Sequence, residues 1–332
     1  MFLMAETAVE KIMEIAMGYT LPRSLHVAAE LGIADALEDA PRSVEDLAAA
    51  TGTHAGALNR VMRLLAAHGV FEARDGGYAH TAASRLLRSD HPQSMRPLVR
   101  LQGIPALWSI WGHLDHSVRT GGSAAHLALP EGYWGHFAAH REDRRIFDDA
   151  MKMKVGGQIA GILGAYDFSP FRSIADIGGG QGHLLQAILE ATPGAQGVLF
   201  DLPEVIEHAT AAASGRLRLQ AGSFFEDALP VCDAYLLTQV IHNWSDEESA
   251  RILAAIRRSA PTGAKLLLIE WLIPGDGSPN WTLFVDLIML AEFTGRERTE
   301  TEFKELLGTA GFRLDRVLDA GLRTYILEAS AV

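Results

Sequence analysis

The sequence predicts an α/β fold in which a doubly wound, mainly parallel C-terminal sheet follows an all-helical and winged-helix N-terminal region. After residue 172, short apolar runs alternate with helical patterns, as in a parallel sheet covered by helices. The first apolar run ends in a glycine-rich turn that opens a helix. Before residue 166 the periodicity is mostly helical. We therefore expect three parts: residues 1–92, residues 93–165 as a helical linker, and residues 166–332.

The composition is that of a globular, acidic protein. Of the 332 residues, 48% are hydrophobic and 21% are charged, and this length is sufficient for two cores. The net charge of -12 argues against a nucleic-acid partner. The single cysteine, Cys232, excludes an internal disulfide. Because we find no signal peptide and no apolar stretch of membrane-spanning length, we expect a cytoplasmic protein without a membrane partner.

Residues 5–40 form the first helical segment. Its apolar positions include Ile12, Ile15, Leu25 and Leu31. So much apolar surface at the start of a chain often packs against a partner. We therefore expect this region to form a homodimer.

A helix, a turn, a second helix and a hairpin follow, which is the order of a winged-helix module. Ser43 and Asp46 form an N-cap pair, and Gly52 ends the first helix. Asp75-Gly76-Gly77 is a hairpin turn between two short strands. This module predicts a structural or dimerisation domain.

A DNA-binding regulator is the alternative of a different class, because winged helices often bind DNA. The second helix offers Arg60 and Arg63, and the hairpin offers Arg74. Glu72 and Asp75 flank that third arginine, and the helix lacks a row of basic and amide side chains that could reach base edges. The sequence therefore favours the structural interpretation.

The C-terminal part is predicted to contain seven strands. They lie near 173–177, 197–201, 216–221, 233–238, 264–270, 313–319 and 322–328. Only Ala320-Gly321 joins the last two strands, and such a short link requires an antiparallel hairpin at the sheet edge.

The turn after the first of these strands has the spacing Asp176-x-Gly178-x-Gly180-x-Gly182. A dinucleotide-binding turn has the pattern G-x-G-x-x-G, whose third glycine would fall on His183. An acid at the strand end would repel a pyrophosphate but suits a cationic amino group. The spacing therefore favours S-adenosylmethionine, which carries an ammonium and a sulfonium and no phosphate.

A second acid ends the next strand, in Gly197-Val-Leu-Phe-Asp201. Its distance from the glycine turn is that expected for a carboxylate that binds ribose hydroxyls. Asp201 alone would not distinguish the ribose of a nicotinamide dinucleotide from that of S-adenosylmethionine. Together with the glycine turn it supports the latter.

One histidine, His242, follows the strand that begins near residue 233, and a capped helix begins at Ser245. Ligands of open α/β sheets bind beyond the carboxyl ends of the strands. Methyl transfer needs an acceptor that has lost its proton, and a histidine, with an ordinary pKa of about 6.5, can accept the proton of a phenol. A lone histidine is more often a core residue, but this location favours a general base.

A histidine base needs an acceptor for its other ring nitrogen. Glu270 is the first candidate, because it ends the apolar strand Lys265-Leu-Leu-Leu-Ile-Glu270, where an unpaired carboxylate would be costly. Glu297, in Gly295-Arg-Glu-Arg-Thr299, is the second candidate. Glu297 could instead be a solvated charge or a helix cap.

These segments together resemble the S-adenosylmethionine-dependent O-methyltransferases of plant caffeate and chalcone, of acetylserotonin, and of actinomycete aromatic polyketides. The resemblance covers nearly the whole chain. Its motifs are the winged-helix part, the glycine turn, Phe200-Asp-Leu-Pro, Gly222-Ser-Phe-Phe, His242-Asn-Trp, Glu270-Trp-Leu-Ile-Pro and Gly295-Arg-Glu-Arg-Thr. It implies a Rossmann-like methyltransferase sheet and an N-terminal domain that forms intertwined homodimers.

The resemblance also implies roles for individual residues. His242 would be the base, with Glu270 and Glu297 beside it, and Asp201 would bind the ribose with Leu202 near the adenine. Met151 and Met289 match positions that line the acceptor pocket of the family. Because we expect that pocket to be built mainly from residues 100–160 and 280–300, further candidates for binding the acceptor are Trp134 and Phe293. Asn243, which follows His242, is another candidate.

The chain departs from the family pattern at three positions. The family often has an acid where this chain has Ser223, before Phe224, and it is the acid that would hold the adenine amino group. Thr238 stands where plant members have lysine. Both changes concern cofactor affinity. Asn243 replaces the usual aspartate after the histidine, and it leaves the base in place but could alter how its loop is held.

We therefore predict a methyltransferase that methylates a hydroxyl of a small aromatic or polyketide-type secondary metabolite. No cluster of oxygen ligands suggests a magnesium site, so we expect no metal. N-methylation of a heteroaromatic metabolite on the same scaffold is the alternative within the enzyme class. It would need no strong base.

Overall fold

The computed structural model describes residues 7–209, 215–278 and 280–332. Its contacts define two compact units. The first unit comprises the described residues up to Trp108 together with Arg141–Met153, and the second comprises Ser109–His140 and Lys154–Val332. Residues 5 and 6, where the first helical segment was predicted to begin, lie outside the described residues. The three-part division of the chain stays a prediction.

The first helical segment consists of three helices. They are α1 (Ala8–Met17), α2 (Thr20–Glu30) and α3 (Ile33–Ala36). Thr7 and Glu10 form a capping box at the start of α1. Gly32, with φ of 67°, separates the last two helices.

The predicted order of helix, turn, helix and hairpin is observed next. The elements are α4 (Val44–Thr51), α5 (Ala55–Ala67), β1 (Phe71–Arg74) and β2 (Gly77–His80). Ser43 caps α4, and Gly52, with φ of 64°, ends it, as predicted. Gly77 has no room for a side chain, because a Cβ there would lie 2.0 Å from the Arg42 carbonyl oxygen. The winged-helix arrangement as such stays a prediction.

Helices continue to residue 165. They are α6 (Ala82–Arg85), α7 (Arg96–Gly103), α8 (Pro105–Ile110), α9 (Leu114–Thr120), α10 (Ala125–Ala128), α11 (Gly132–Ala139) and α12 (Arg141–Ala165), with a 3₁₀ turn at Trp111–His113. The prediction of helices over this stretch is therefore confirmed.

The second unit is built on a seven-stranded sheet. Its strands are β3 (Ser173–Ile177), β4 (Gln196–Asp201), β5 (Leu217–Ala221), β6 (Ala234–Thr238), β7 (Lys265–Trp271), β8 (Phe312–Asp319) and β9 (Thr324–Ala331). Their order is β5-β4-β3-β6-β7-β9-β8, and the first five are parallel. The chain leaves β3 toward β4 and later returns to β6 on the other side of β3. The carboxyl ends of these three strands therefore border a topological switch point, where ligands bind in open α/β sheets.

Helices cover both faces of this sheet. They are α13 (His183–Ala191), α14 (Pro203–Ile206), α15 (Asp246–Ser259), α16 (Thr282–Glu292) and α17 (Glu300–Thr309), with a 3₁₀ turn at Ile241–Asn243. Successive residues of a strand point to opposite faces. Leu266 and Leu268 of β7 accordingly pack in the core with α15 and α17, whereas Leu267 and Ile269 pack in the core with α13. The sheet is doubly wound, as predicted.

The last two strands form an antiparallel hairpin at the sheet edge, as predicted. Its link is longer than the two residues expected, since β9 begins at Thr324 and the predicted strand began at residue 322. Leu322 and Arg323 have φ values of 50° and 62°, which strand residues do not adopt. They belong to the turn. Across the described ranges, no helix is both long and apolar enough to span a membrane.

Candidate active site

The glycine-rich loop between β3 and α13 adopts a conformation that its glycines make possible. Gly178, Gly180 and Gly182 have φ values of 70°, 59° and 76°, in the left-handed region that disfavours residues with a Cβ. The Gly178 amide donates to the Phe200 carbonyl oxygen at 2.8 Å, which ties the loop to the end of β4. A Cβ on Gly180 would meet no atom within 4 Å, so the backbone there borders open space.

Gly179, which the motif treats as a variable position, is constrained in a different way. Its φ is not positive, but a Cβ there would lie 2.5 Å from the Asp176 carboxyl and 2.6 Å from Leu199 Cδ1. Such distances are not tolerated without movement of the neighbours. Sequence reasoning missed this position because its requirement comes from packing and leaves no trace in the spacing of the motif.

We therefore expect Gly179→Ala to destabilise the protein by about 1–3 kcal/mol and to weaken cofactor binding, because the loop must shift to admit the methyl group. Gly194→Ala is a matched control, since a Cβ on Gly194 would meet nothing within 4 Å and its φ is not positive. Thermal unfolding and calorimetry with S-adenosylhomocysteine measure both effects. Equal stabilities and equal cofactor affinities of the two variants would show that a side chain at Gly179 is tolerated.

The Asp201 carboxylate links the loop to the end of β4. Its Oδ2 accepts the Gly180 amide at 2.8 Å and its Oδ1 accepts the Leu202 amide at 2.7 Å. These bonds hold the carboxylate beside the open space at Gly180. Leu202 itself is 39% exposed.

Asp176 is buried, with 1% of its surface exposed. Its Oδ1 has no hydrogen-bond partner among the described residues. Burial raises the pKa of Asp176 to about 7, and the nearby Asp201 charge acts in the same direction. The predicted contact between this carboxyl and the cofactor amino group stays a prediction.

The other predicted cofactor positions lie at the carboxyl edge of the sheet. Thr238 ends β6, and its hydroxyl is buried without a partner in the described part of the chain. The Ser223 hydroxyl accepts the Phe225 amide at 3.2 Å, so it is engaged in the turn after β5. The Phe224 ring contacts the Phe225 and Trp244 rings.

His242 is hydrogen-bonded to Glu297 inside the second unit. The distance from its Nδ1 to Glu297 Oε1 is 2.7 Å, and the two residues are 4% and 0% exposed. Because a carboxylate can only accept, Nδ1 carries the proton and Nε2 is left as a proton acceptor. No residue in the described ranges bonds to Nε2. This is the arrangement of a general base that a carboxylate orients.

The ranking of the two glutamates was wrong. Glu270 was the first candidate for orienting His242, but its Oε1 accepts the backbone amide of Ile241 at 3.0 Å instead. Glu297 is fully buried rather than a solvated charge. Burial raises the pKa of Glu270 to about 7, which the His242 ring partly opposes. Glu270 therefore holds the backbone beside His242, and Glu297 holds its ring.

Two residues of the Gly295-Arg-Glu-Arg-Thr motif bring Glu297 to the histidine. A Cβ on Gly295 would lie 1.9 Å from the His242 carbonyl oxygen, so only glycine permits this approach. Arg298, 1% exposed, donates to the carbonyl oxygens of Ile241 and Trp244, on both sides of His242. It also donates to Asp246 Oδ1 through two nitrogens, at 2.9 and 2.7 Å. Sequence reasoning assigned no role to Arg298.

Lys154 is a third residue that sequence reasoning missed. Its ammonium lies 4.9 Å from the centroid of the Trp271 ring. Burial lowers the pKa of Lys154, while the charges of Glu297 and Glu270 oppose this shift. Lys154 therefore lies within electrostatic reach of the two glutamates.

The loop between β6 and His242 is held in a strained conformation. Gln239 has φ of 52°, which is unusual for a residue other than glycine. Its amide donates to the Ile269 carbonyl oxygen at 2.9 Å, and its own carbonyl accepts the Asn243 side-chain amide at 3.3 Å. Asn243 thus supports the loop, and its contact with the acceptor stays a prediction.

Four of the five residues predicted to bind the acceptor lie in the second unit: Asn243, Trp134, Met289 and Phe293. The Phe293 ring is 4.4 Å from the Tyr133 ring and 5.7 Å from the Trp134 ring. Met289 is buried in α16, one turn before Phe293. Met151 belongs to the first unit, so its role in an acceptor pocket stays a prediction.

Residues 111–313 match the O-methyltransferase domain, and residues 13–90 match the O-methyltransferase dimerisation domain. The chain belongs to the O-methyltransferase family. The phenazine O-methyltransferase PhzM of Lysobacter antibioticus is 38% identical to it over 97% of this chain and 96% of its own length. The mitomycin biosynthesis 6-O-methyltransferase of Streptomyces lavendulae is 37% identical over 95% of this chain and 92% of its own length.

The fold of this O-methyltransferase is also that of a solved relative. Human N-acetylserotonin methyltransferase, crystallised in complex with SAM, matches with a TM-score of 0.89 at 28% identity, and the match covers 99% of both chains. The predicted family, the Rossmann-like methyltransferase sheet and the dimerisation domain are confirmed. S-adenosylmethionine is the cofactor of this O-methyltransferase. The matches favour O-methylation over N-methylation and over DNA binding.

Proposed function

We propose that His242 removes the proton from an aromatic hydroxyl while the oxygen attacks a methyl group held at the carboxyl edge of the sheet. The observation that carries this proposal is the buried contact of 2.7 Å between His242 Nδ1 and Glu297 Oε1. The hydroxyl proton moves to Nε2, and the oxygen electron pair forms the new bond to carbon. The Glu297 carboxylate stabilises the imidazolium that results.

The residues at the sheet edge fit S-adenosylmethionine. The Asp201 carboxylate would accept the ribose hydroxyls, and the exposed Leu202 and the Phe224 ring would contact the adenine. The open space at Gly180 admits a ligand next to the backbone. When bound, the cofactor would supply the methyl group, and the electron pair of the carbon–sulfur bond that breaks would stay on the sulfur.

Replacing Asp201 by alanine is expected to weaken the binding of S-adenosylhomocysteine by roughly tenfold or more, because hydrogen bonds to a charged group are lost. Calorimetry measures this affinity. Asp39→Ala, which removes an exposed carboxylate, is the control and should leave the affinity unchanged. An unaltered affinity of Asp201→Ala would refute the ribose role.

We propose that the acceptor is a small aromatic or polyketide-type secondary metabolite. The names of the two bacterial relatives refer to phenazine and to mitomycin biosynthesis. The aromatic side chains of Tyr133, Trp134 and Phe293 offer flat apolar surfaces of the kind that bind aromatic rings.

We propose that the N-terminal region forms the homodimer. α1 has no buried residue, and its exposed apolar side chains include Val9, Ile12, Met13 and Ile15. An apolar face of this kind marks an interaction surface. The cytoplasmic location stays a prediction.

The function is tested by incubating the protein with S-adenosylmethionine and a panel of phenols, hydroxynaphthoic acids and hydroxylated polyketides. Mass spectrometry should show methyl ethers and an equal amount of S-adenosylhomocysteine. Methylation of the matching aromatic amines, with no reaction of the hydroxyl compounds, would contradict the proposal.

A further inference from the structure

A buried carboxyl group lies among these aromatic side chains. Glu292 is the last residue of α16 and is 4% exposed. The Tyr133 hydroxyl donates a hydrogen bond to it. Its Oε1 has no hydrogen-bond partner within the part of the chain that the structure describes. Because a buried polar atom without a partner costs free energy, we expect Oε1 to bond to a group that is not part of the described chain.

The surroundings of Glu292 suit a flat ring. The Tyr133 ring centroid lies 4.4 Å from that of Phe293 and 5.1 Å from that of Trp134. Trp134 is 44% exposed, so this aromatic cluster reaches the surface of the second unit. A ligand can therefore approach the cluster from solvent.

Glu292 is also close to the histidine along the chain. Gly295, three residues later, packs against the His242 carbonyl oxygen. Three residues span at most about 11 Å. An aromatic molecule of two or three fused rings could therefore place its hydroxyl at His242 and its far ring near Glu292.

The protonation of Glu292 indicates what it would recognise. Burial raises its pKa to about 8, and the hydrogen bond from Tyr133 lowers it by less. At neutral pH the carboxyl is therefore mostly protonated. A proton on Oε1, the oxygen without a partner, would make that oxygen a hydrogen-bond donor.

We propose that Glu292 selects aromatic acceptors that carry a ring nitrogen or a carbonyl oxygen on the ring remote from the methylated hydroxyl, by donating a hydrogen bond from Oε1. The inference rests on the proposed function, since it assumes that the hydroxyl lies at His242. It narrows the acceptor class to heteroaromatic and quinone-type compounds.

The test compares 6-hydroxyquinoline with 2-naphthol, which have the same shape and differ in one atom of the ring remote from the hydroxyl. Their affinities are measured by calorimetry with the full-length protein loaded with S-adenosylhomocysteine. We expect the unaltered protein to bind the quinoline about tenfold more tightly. Glu292→Leu should abolish this preference and change the affinity for 2-naphthol by less than about twofold. Glu292→Gln, which keeps a donor and an acceptor, should retain the preference.

Equal affinities of the unaltered protein for the two compounds, including no binding of either, would overturn the proposal. An equal loss of affinity for both compounds in Glu292→Leu would also overturn the proposal. If Glu292→Gln lost the preference as completely as Glu292→Leu, the group would act as an anion and the proposed donor role would be wrong. Because no methyl transfer is measured, an error in the role of His242 as a base would leave these affinities unchanged.

Discussion

Replacing His242 by alanine is expected to reduce the turnover number by roughly 10²–10⁴-fold, the contribution of a positioned general base. Affinity for S-adenosylhomocysteine should not change, because the bonds of the glycine-rich loop and of Asp201 do not involve the histidine. Stopped-assay turnover and calorimetry measure the two quantities separately. A fall in cofactor affinity of the same size would show that the substitution had disturbed the sheet edge as a whole.

His68→Ala is the control for this experiment. His68 follows α5 in the first unit and is exposed. Its loss should leave the turnover number unchanged. Unchanged turnover in His242→Ala would remove this residue from the mechanism, and activity on amines in that variant would revive the N-methylation alternative.

Glu297→Gln is expected to lower the turnover number by roughly 10²-fold, because the amide cannot stabilise an imidazolium as a carboxylate does. The Michaelis constant for the cofactor should be unaffected. Glu270→Gln is the matched comparison, since Glu270 is equally buried and lies near the same histidine. Its pKa of about 7 means that it is partly neutral near neutral pH, and glutamine can still accept the Ile241 amide. We expect it to lower turnover by less than about tenfold.

The comparison of the two glutamine variants decides which carboxyl orients the base. A larger loss in Glu270→Gln than in Glu297→Gln would restore the original ranking of the two residues. Thermal unfolding of both variants separates a loss of activity from a loss of folded protein.

The fold and the position of the site were accessible from the sequence because both depend on local patterns. The apolar run before Gly178 and the run before Asp201 each identify a strand and its carboxyl end. Parallel strands place these ends at one edge, so the loop, Asp201 and His242 could be brought together without coordinates. The same reasoning located the N-cap at Ser245, which the structure confirms.

The residue that bonds to the His242 ring could not be predicted in this way. Glu270 was favoured because it ends an apolar strand, and that location does bury it, but the local backbone amide of Ile241 satisfies it. Glu297 lies in a polar stretch, and its burial depends on a contact 55 residues away in sequence. Tyr133 and Glu292 are further apart still. Contacts of this kind arise from packing between distant elements, which hydrophobic periodicity does not encode.

Arg298 donates hydrogen bonds to the carbonyl oxygens on both sides of His242. This contact has a consequence for the order in which the site forms during synthesis. Domains generally fold as they emerge, beginning with the N-terminal ones. The strand before the histidine can emerge from the ribosome and pair well before Gly295, Glu297 and Arg298 have been translated. In the nascent chain the His242 imidazole therefore lacks the bond that fixes its tautomer until Glu297 has been synthesised. The dimerisation region, residues 13–90, is therefore synthesised well before the residues that orient the proposed base.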